Sequence, residues 1–246
     1  MSLPRFFLPP QCWDDADLQL EGDEARHCVK VRRLGRGDKL EVFDGLGRVA
    51  RVEIAACEGG RVRLIVGELE TLPPPDLRIW HLPALLKAEA FERSLEQAAE
   101  LGVSVLQPVV ADHSVLPWSQ NLWERKRPKW ERLLIEAAKQ CHNPRLPELR
   151  RPLALAQALT VCPPDAQRLL LSLEPGAGAL RIQPDPATVA LLVGPEGDWS
   201  AAEHEVAMLS GFVPVTLGPL ILRADTANAA ALAVTWQEWR RVAKPS

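Results

Sequence analysis

The chain has 246 residues, a formal net charge of -3 and 47% hydrophobic residues. That balance supports a globular protein with its own core and excludes a disordered chain or a fibre. Five cysteines, an odd number at wide spacings with no basic-then-apolar leader ahead of them, point to the reducing cytoplasm; no apolar run approaches the roughly 18 residues of a membrane span.

The first distinctive stretch is basic: Arg26, Lys30, Arg32, Arg33 and Arg36 follow one another with no acid among them. Alternating residues 39–43 and 48–54, joined by Asp44-Gly45-Leu46-Gly47, predict a β-hairpin. Gly59-Gly60 makes a second turn before a third strand over 61–66. The first quarter is therefore expected to be a small β-barrel or sheet, and residues 71–76, with three prolines, read as a linker with a boundary near residue 72.

Beyond the linker, short apolar runs alternate with amphipathic stretches, the pattern of an α/β domain with a mainly parallel sheet. Strands are expected over 77–82, 103–110, 168–173, 189–193 and 213–217. Helices are expected over 91–101, stopped by Gly102, over 130–140, and over 225–242. Ser200-Ala-Ala-Glu203 has the capping-box spacing of a helix start. A second basic strip runs from Arg125 to Arg151, with Lys139 and Arg145 inside it. A solvated face is the alternative for either strip alone, and the two together favour an RNA partner.

Two strand ends carry the chemistry. Leu191-Leu-Val-Gly194-Pro195-Glu196-Gly197-Asp198-Trp199-Ser200 is a buried strand, a glycine-flanked turn and a capped helix in succession, and Leu217-Gly218-Pro219-Leu220-Ile221-Leu222-Arg223 repeats the design before the last helix. In an open α/β sheet, ligands sit outside the carboxyl ends of strands, so the two loops suggest one shared pocket. No phosphate-binding glycine motif is present. A backbone-lined site suits an adenine edge, with Glu196 or Asp225 facing a hydroxyl or a cation; S-adenosylmethionine satisfies those terms. Cys141-His142 does not make a nucleophile and its base, because neighbouring helical residues point about 100° apart. No zinc-ligand spacing occurs, so no metal is expected.

Taken together, these residues resemble the RsmE family of 16S rRNA (uracil-N3)-methyltransferases, of the SPOUT class. The resemblance rests on Pro4-Arg5-Phe6-Phe7, His27 to Arg33 with Gly37-Asp38 and Asp44-Gly45, Lys87, Glu100-Leu-Gly102 with Pro108, residues 130–140 with Pro147-Glu148, Gly194 to Gly197, Leu217-Gly-Pro219, and Ile221 to Ala227. It implies a PUA-like RNA-binding β-barrel over 1–71 and a methyltransferase domain over 72–246, α/β with a trefoil knot near its end. It also implies a homodimer, and as substrate N3 of one uridine of 16S rRNA in the small ribosomal subunit, expected to be uridine 1498. Glycine is common in the family where Asp198 stands, arginine where Leu220 stands, and Arg-Ser where His113-Ser114 stands.

By the same resemblance the cofactor S-adenosylmethionine is expected at Leu192, Gly194, Pro195, Glu196, Gly197, Leu217, Gly218, Pro219, Ile221, Leu222 and Thr226. Arg223 is the candidate for stabilising the uridine anion and Glu196 a candidate proton acceptor or brace of the turn. An ion pair of Arg223 with Glu196 or Asp225 is the alternative for that arginine. Arg5, Lys30, Arg32, Arg33, Lys87, Lys139 and Arg145 are the expected RNA contacts, with no membrane partner. A methyltransferase of the same class acting on another RNA, or a non-catalytic RNA-binding assembly protein, would share most of these residues.

Overall fold

The computed structural model describes residues 3–13, 18–114, 118–184 and 187–243. They form two compact units: one of the residues up to Pro74 together with Ile135–Leu146, the other of Pro75–Leu134 together with the residues from Pro147 onward.

The first unit is built on strands β1 (Arg5–Phe7), β2 (Gln19–Leu20), β3 (Lys39–Phe43), β4 (Arg48–Glu58) and β5 (Arg61–Thr71), in the sheet order β1-β3-β4-β5-β2. The expected hairpin is β3 and β4, paired antiparallel. Its turn is organised by the buried Asp44 carboxylate, which accepts from the amides of Leu46 (2.7 Å) and Arg48 (2.9 Å) and from Arg48 Nε (2.7 Å). Gly45 is required there: its φ is 76°, and a Cβ would lie 2.8 Å from Leu146 Cδ1. The inward faces of β3, β4 and β5 bury Leu40, Val42, Val52, Ile54, Val62 and Leu64 against Phe6 and Leu20. The third strand runs to Thr71 rather than ending at Val66, because backbone pairing with β4 continues where the side chains turn to solvent. Helix α1 (Gly22–Arg26) passes into a wide π-helical turn, His27–Val31, which points Cys28 into the core and leaves Lys30 exposed. Burial pushes the Cys28 thiol up to about 11, so it is protonated at neutral pH.

The second unit carries a seven-stranded, wholly parallel sheet. Its strands are β6 (Arg78–Pro83), β7 (Val105–Leu106), β9 (Glu148–Leu149), β11 (Gln167–Leu171), β12 (Gly178–Ala179), β13 (Thr188–Val193) and β14 (Val213–Thr216), in the order β12-β14-β11-β13-β6-β7-β9. Every residue of β13 is buried, as a central strand covered on both faces requires. The single strand expected over 103–110 is divided: β7 joins the large sheet, and β8 (Val109–Val110) pairs instead with β10 (Leu153–Ala154). Pro108 supplies no amide to a ladder, and the buried Gln107 side chain donates to the carbonyls of Pro108 and Arg151 at the step between them.

Helices α2 (Ala88–Glu100), α4 (Leu155–Val161), α5 (Ala201–Leu209) and α6 (Ala224–Val242) cover the sheet. Helix α3 (Gln120–Cys141) starts well before the expected residue 130 and passes through Pro128. One lost amide donor is outweighed by burial of Trp123 and Trp130, whose rings lie 6.2 Å apart, and by Phe91 at 4.8 Å from Trp130. The last turns of α3, from Ile135, belong to the first unit. His81, fully buried in β6, is pushed down to about 4 by desolvation and is neutral at physiological pH. Among the described residues no helix is long and apolar enough to cross a membrane.

Candidate functional site

Strands β11, β13 and β14 end side by side, and the loops that leave them border a cleft of about 510 Å³. Gly194, Pro195 and Glu196 line it from the loop after β13, and Leu217, Gly218, Ile221, Leu222 and Arg223 from the loop after β14. The two loops singled out in the sequence thus share one pocket. Four residues of the expected cofactor set do not line it. Leu192 lies in the core beneath. Gly197 faces the opposite way, where a Cβ would come within 3.0 Å of His113 Cβ; its glycine serves that close approach. Pro219 and Thr226 are neighbours of lining residues, outside the lining.

The turn after β13 is held from several directions. The Ser200 side chain and Glu203 form the expected capping box, Ser200 Oγ accepting from Glu203 N at 3.3 Å while Ser200 N donates to Glu203 Oε2 at 2.9 Å. Asp112 joins it, its amide donating to Glu203 Oε1 and its carboxylate accepting from Ser200 Oγ. Asp198 stands in the left-handed region with φ 59°, and its carboxylate accepts from Trp199 N at 2.8 Å. That conformation is the one that suits the glycine the resemblance leads one to expect here. Aspartate is among the few other residues that adopt it readily, through a local hydrogen bond.

His113 Nδ1 lies 3.0 Å from the Gly197 carbonyl oxygen and 2.9 Å from that of Asp198, so it carries a proton and donates. The Asp198 carbonyl holds the imidazole above its ordinary 6.5, helped by the Gly197 carbonyl and the Glu203 and Asp112 carboxylates and opposed by desolvation. Because the folded value is raised, the clamp contributes fully below pH 6.5 and weakens as pH rises through the raised value. Amide protection at residues 197–199 is expected to fall over that interval, and His113→Gln to abolish the pH dependence, as hydrogen exchange would register.

The charges around the cleft are unevenly satisfied. Glu196 is exposed and reaches the first turn of α2, with Oε1 3.5 Å from the Lys87 amide, where a carboxylate is favoured by the helix dipole. Asp225 pairs with Arg93, Nη2 to Oδ2 at 2.9 Å and Nε to Oδ2 at 3.1 Å. Arg223, exposed at the start of α6, makes no ion pair with the described residues, so the pairing with Glu196 or Asp225 weighed as its alternative role is not formed. The sequence reading missed Arg93, Ala90 and the β11 end, Leu171 to Leu173, as lining residues. Nothing local marks them, since they approach the loops only through the fold.

The expected RNA contacts divide. Lys30, Arg32 and Arg33 are exposed and free of ion pairs among the described residues, and Lys87 is exposed at the start of α2. Arg5 and Lys139 correct the expectation. Arg5 is buried, 2.9 Å from Glu41, with its guanidinium 4.4 Å from the Phe43 ring centre, and burial lowers its pKa. Lys139 is buried with its ammonium 2.9 Å from both Glu24 and Glu136. Arg145 is likewise structural: its guanidinium donates to the carbonyls of Leu46 and Leu72, the latter at 2.6 Å. Much of the second basic strip pairs internally, as Arg127 does with Glu131, Lys129 with Glu92 and Arg150 with Glu148. Among the described residues, Glu24, His27 and Glu136 have the spacing of metal ligands, but the Lys139 ammonium already supplies the cation between the two carboxylates.

Against known proteins, residues 73–236 match the RNA methyltransferase domain family and residues 20–66 the RNA methyltransferase PUA domain family. The Synechocystis ribosomal RNA small subunit methyltransferase E is 35% identical over 236 residues, covering 93% of this chain and 76% of its own. The Aquifex aeolicus protein of the same name is 30% identical over 226 residues, covering 88% of this chain and 93% of its own. The crystal structure of a Neisseria gonorrhoeae ribosomal RNA small subunit methyltransferase E bound to S-adenosyl methionine superposes with a TM-score of 0.87 at 26% identity, over 96% of this chain and 98% of that one. The sheet, the paired loops and these matches, which run over both units, agree: the chain belongs to the ribosomal RNA small subunit methyltransferase E family, with a PUA domain ahead of its RNA methyltransferase domain.

Proposed function

We propose that this protein transfers a methyl group from S-adenosylmethionine to N3 of a single uridine of 16S rRNA, uridine 1498, in the small ribosomal subunit. It acts in the cytoplasm as a homodimer, without a metal, through a PUA-like barrel at its N-terminal end, whose unit also takes in Ile135–Leu146, and a knotted catalytic domain beyond it. The observation that carries the reading is the cleft outside the ends of β11, β13 and β14, with an arginine at its mouth that makes no ion pair with the described residues, in a chain of this family.

The cleft suits the cofactor. Leu173, Leu220 and Ile221 leave apolar surface open to solvent at its edge, which a ligand's apolar body would cover, and the backbone groups of Gly194 to Glu196 and Leu217 to Leu222 border it. S-adenosylmethionine supplies an electrophilic methyl group there. Uracil N3 carries a weakly acidic proton hidden by base pairing, so the base must be unpaired and that proton passed to solvent; the N3–methyl bond would then form as the sulfonium–methyl bond breaks, with S-adenosylhomocysteine as the leaving product. Arg223 stabilises the anion that develops at the uracil carbonyl oxygens. Glu196 holds the loop against the α2 N-terminus, which keeps the Gly194-Pro195 backbone in place beside the cleft.

Labelled S-adenosylmethionine with small subunits lacking the modification tests the reading, with digest mass spectrometry to locate the methyl. A single N3-methyluridine is the expected product. Methyl at another atom or in another RNA would replace the substrate, and cofactor binding without any transfer would leave a non-catalytic RNA-binding protein.

A further inference from the structure

Three charged groups meet at the start of α6 with only one pairing among them. Arg223 precedes the helix, Asp225 sits in its first turn, and Arg93 reaches across from α2; all three line the cleft. Arg223 and Asp225 stand two residues apart at the start of one helix, so a long, flexible guanidinium and that carboxylate are near enough in the chain to attract each other. Asp225 is the natural captor of Arg223, yet its carboxylate is taken twice by Arg93, at 2.9 and 3.1 Å, and its other oxygen accepts from Thr226 N at 3.0 Å. The Asp225 carboxyl is only 16% exposed, whereas the Arg93 side chain is 54% exposed, so the arginine is held over the acid from the solvent side.

We infer that Arg93 is a positioning residue: by occupying Asp225 it keeps Arg223 unpaired and available to the uracil. This rests on the catalytic reading of Arg223. The carboxylate is also kept from facing the substrate as a bare negative charge, which would oppose formation of the uridine anion. Two further acids line the cleft: Glu196 is directed to the Lys87 amide at the α2 N-terminus, and the Asp198 carboxylate accepts from Trp199 N at 2.8 Å. Each of the three acids that line the cleft therefore has a contact of its own, which leaves Arg223 to the chemistry.

The test is a double-variant cycle on the full-length protein. Arg93→Gln is expected to lower kcat about five- to tenfold, the scale of one partly exposed ion pair gained by Arg223, with cofactor affinity by calorimetry unchanged within about twofold. Arg93→Lys keeps most of the rate. Arg93→Gln combined with Asp225→Asn recovers kcat to within about twofold of the starting protein, because the captor is gone. A nitrogen-15 side-chain spectrum gives a readout independent of turnover: the Arg223 Nε–H resonance becomes protected in Arg93→Gln and returns to its original state in the double variant. An unrescued double variant, an unchanged Arg223 resonance, or a loss confined to cofactor affinity would overturn the inference. Full activity in Arg223→Gln would overturn the catalytic reading of Arg223 and this one with it, whereas an inactive Arg223→Gln beside an unrescued Arg93→Gln removes only the role of Arg93.

Discussion

Arg223→Gln is expected to lower kcat by about 10²- to 10³-fold while cofactor affinity stays within about threefold, because under the proposed function the lost donor acts on charge that exists only as the N3 proton departs. Three observations set that expectation. Arg223 borders the cleft, it is exposed, and the acids that line the cleft are engaged elsewhere: Asp225 by Arg93, Glu196 at the start of α2 and Asp198 by the Trp199 amide. A planar fork that faces a carbonyl edge is poorly replaced by an ammonium, so Arg223→Lys should recover only part of the rate. Single-turnover methyl transfer, with calorimetry for the cofactor, separates the two quantities. A variant whose affinity falls with kcat unchanged would move Arg223 from catalysis to cofactor binding.

The parts of the fold that were legible in the sequence are those fixed by local rules. The hairpin at Asp44 to Gly47 is legible because a short acid and glycines close a tight turn, and the start of α5 because Ser200 and Glu203 stand three residues apart. The two cleft loops are legible for the same reason: each follows an apolar strand and precedes a helix. What local rules miss is long-range pairing. A run of cations that includes Lys139 and Arg145 looks like an RNA surface in sequence, but Glu24 and the carbonyls of Leu46 and Leu72, far away in the chain, take up those charges once folded. Arg93 has no signal at all in sequence, since its place beside Asp225 depends on α2 packing against α6. Strand 103–110 fails for another reason, the missing amide of Pro108, which the apolar run conceals.

The same distinction yields the second large effect, in RNA binding. The triple substitution of Lys30, Arg32 and Arg33 by glutamine removes three exposed charges that make no ion pair with the described residues. Each phosphate contact contributes about 0.7 to 0.9 to the slope of log affinity against log salt, so the slope should flatten by about 2 and affinity near 0.1 M salt should fall on the order of 100-fold, with stability unchanged. Lys139→Met should do the reverse. Its ammonium is buried while Glu24 is partly and Glu136 half exposed, so its loss leaves mainly the Glu24 carboxylate short of its cation, a cost of about 1 to 3 kcal/mol in unfolding free energy. The RNA salt slope of whatever folds should be that of the starting protein. Denaturant unfolding and binding titrations at several salt concentrations decide between them: a stable Lys139→Met protein with a flattened slope would return Lys139 to the RNA surface, and an unchanged slope in the triple variant would place the RNA on a different face of the barrel.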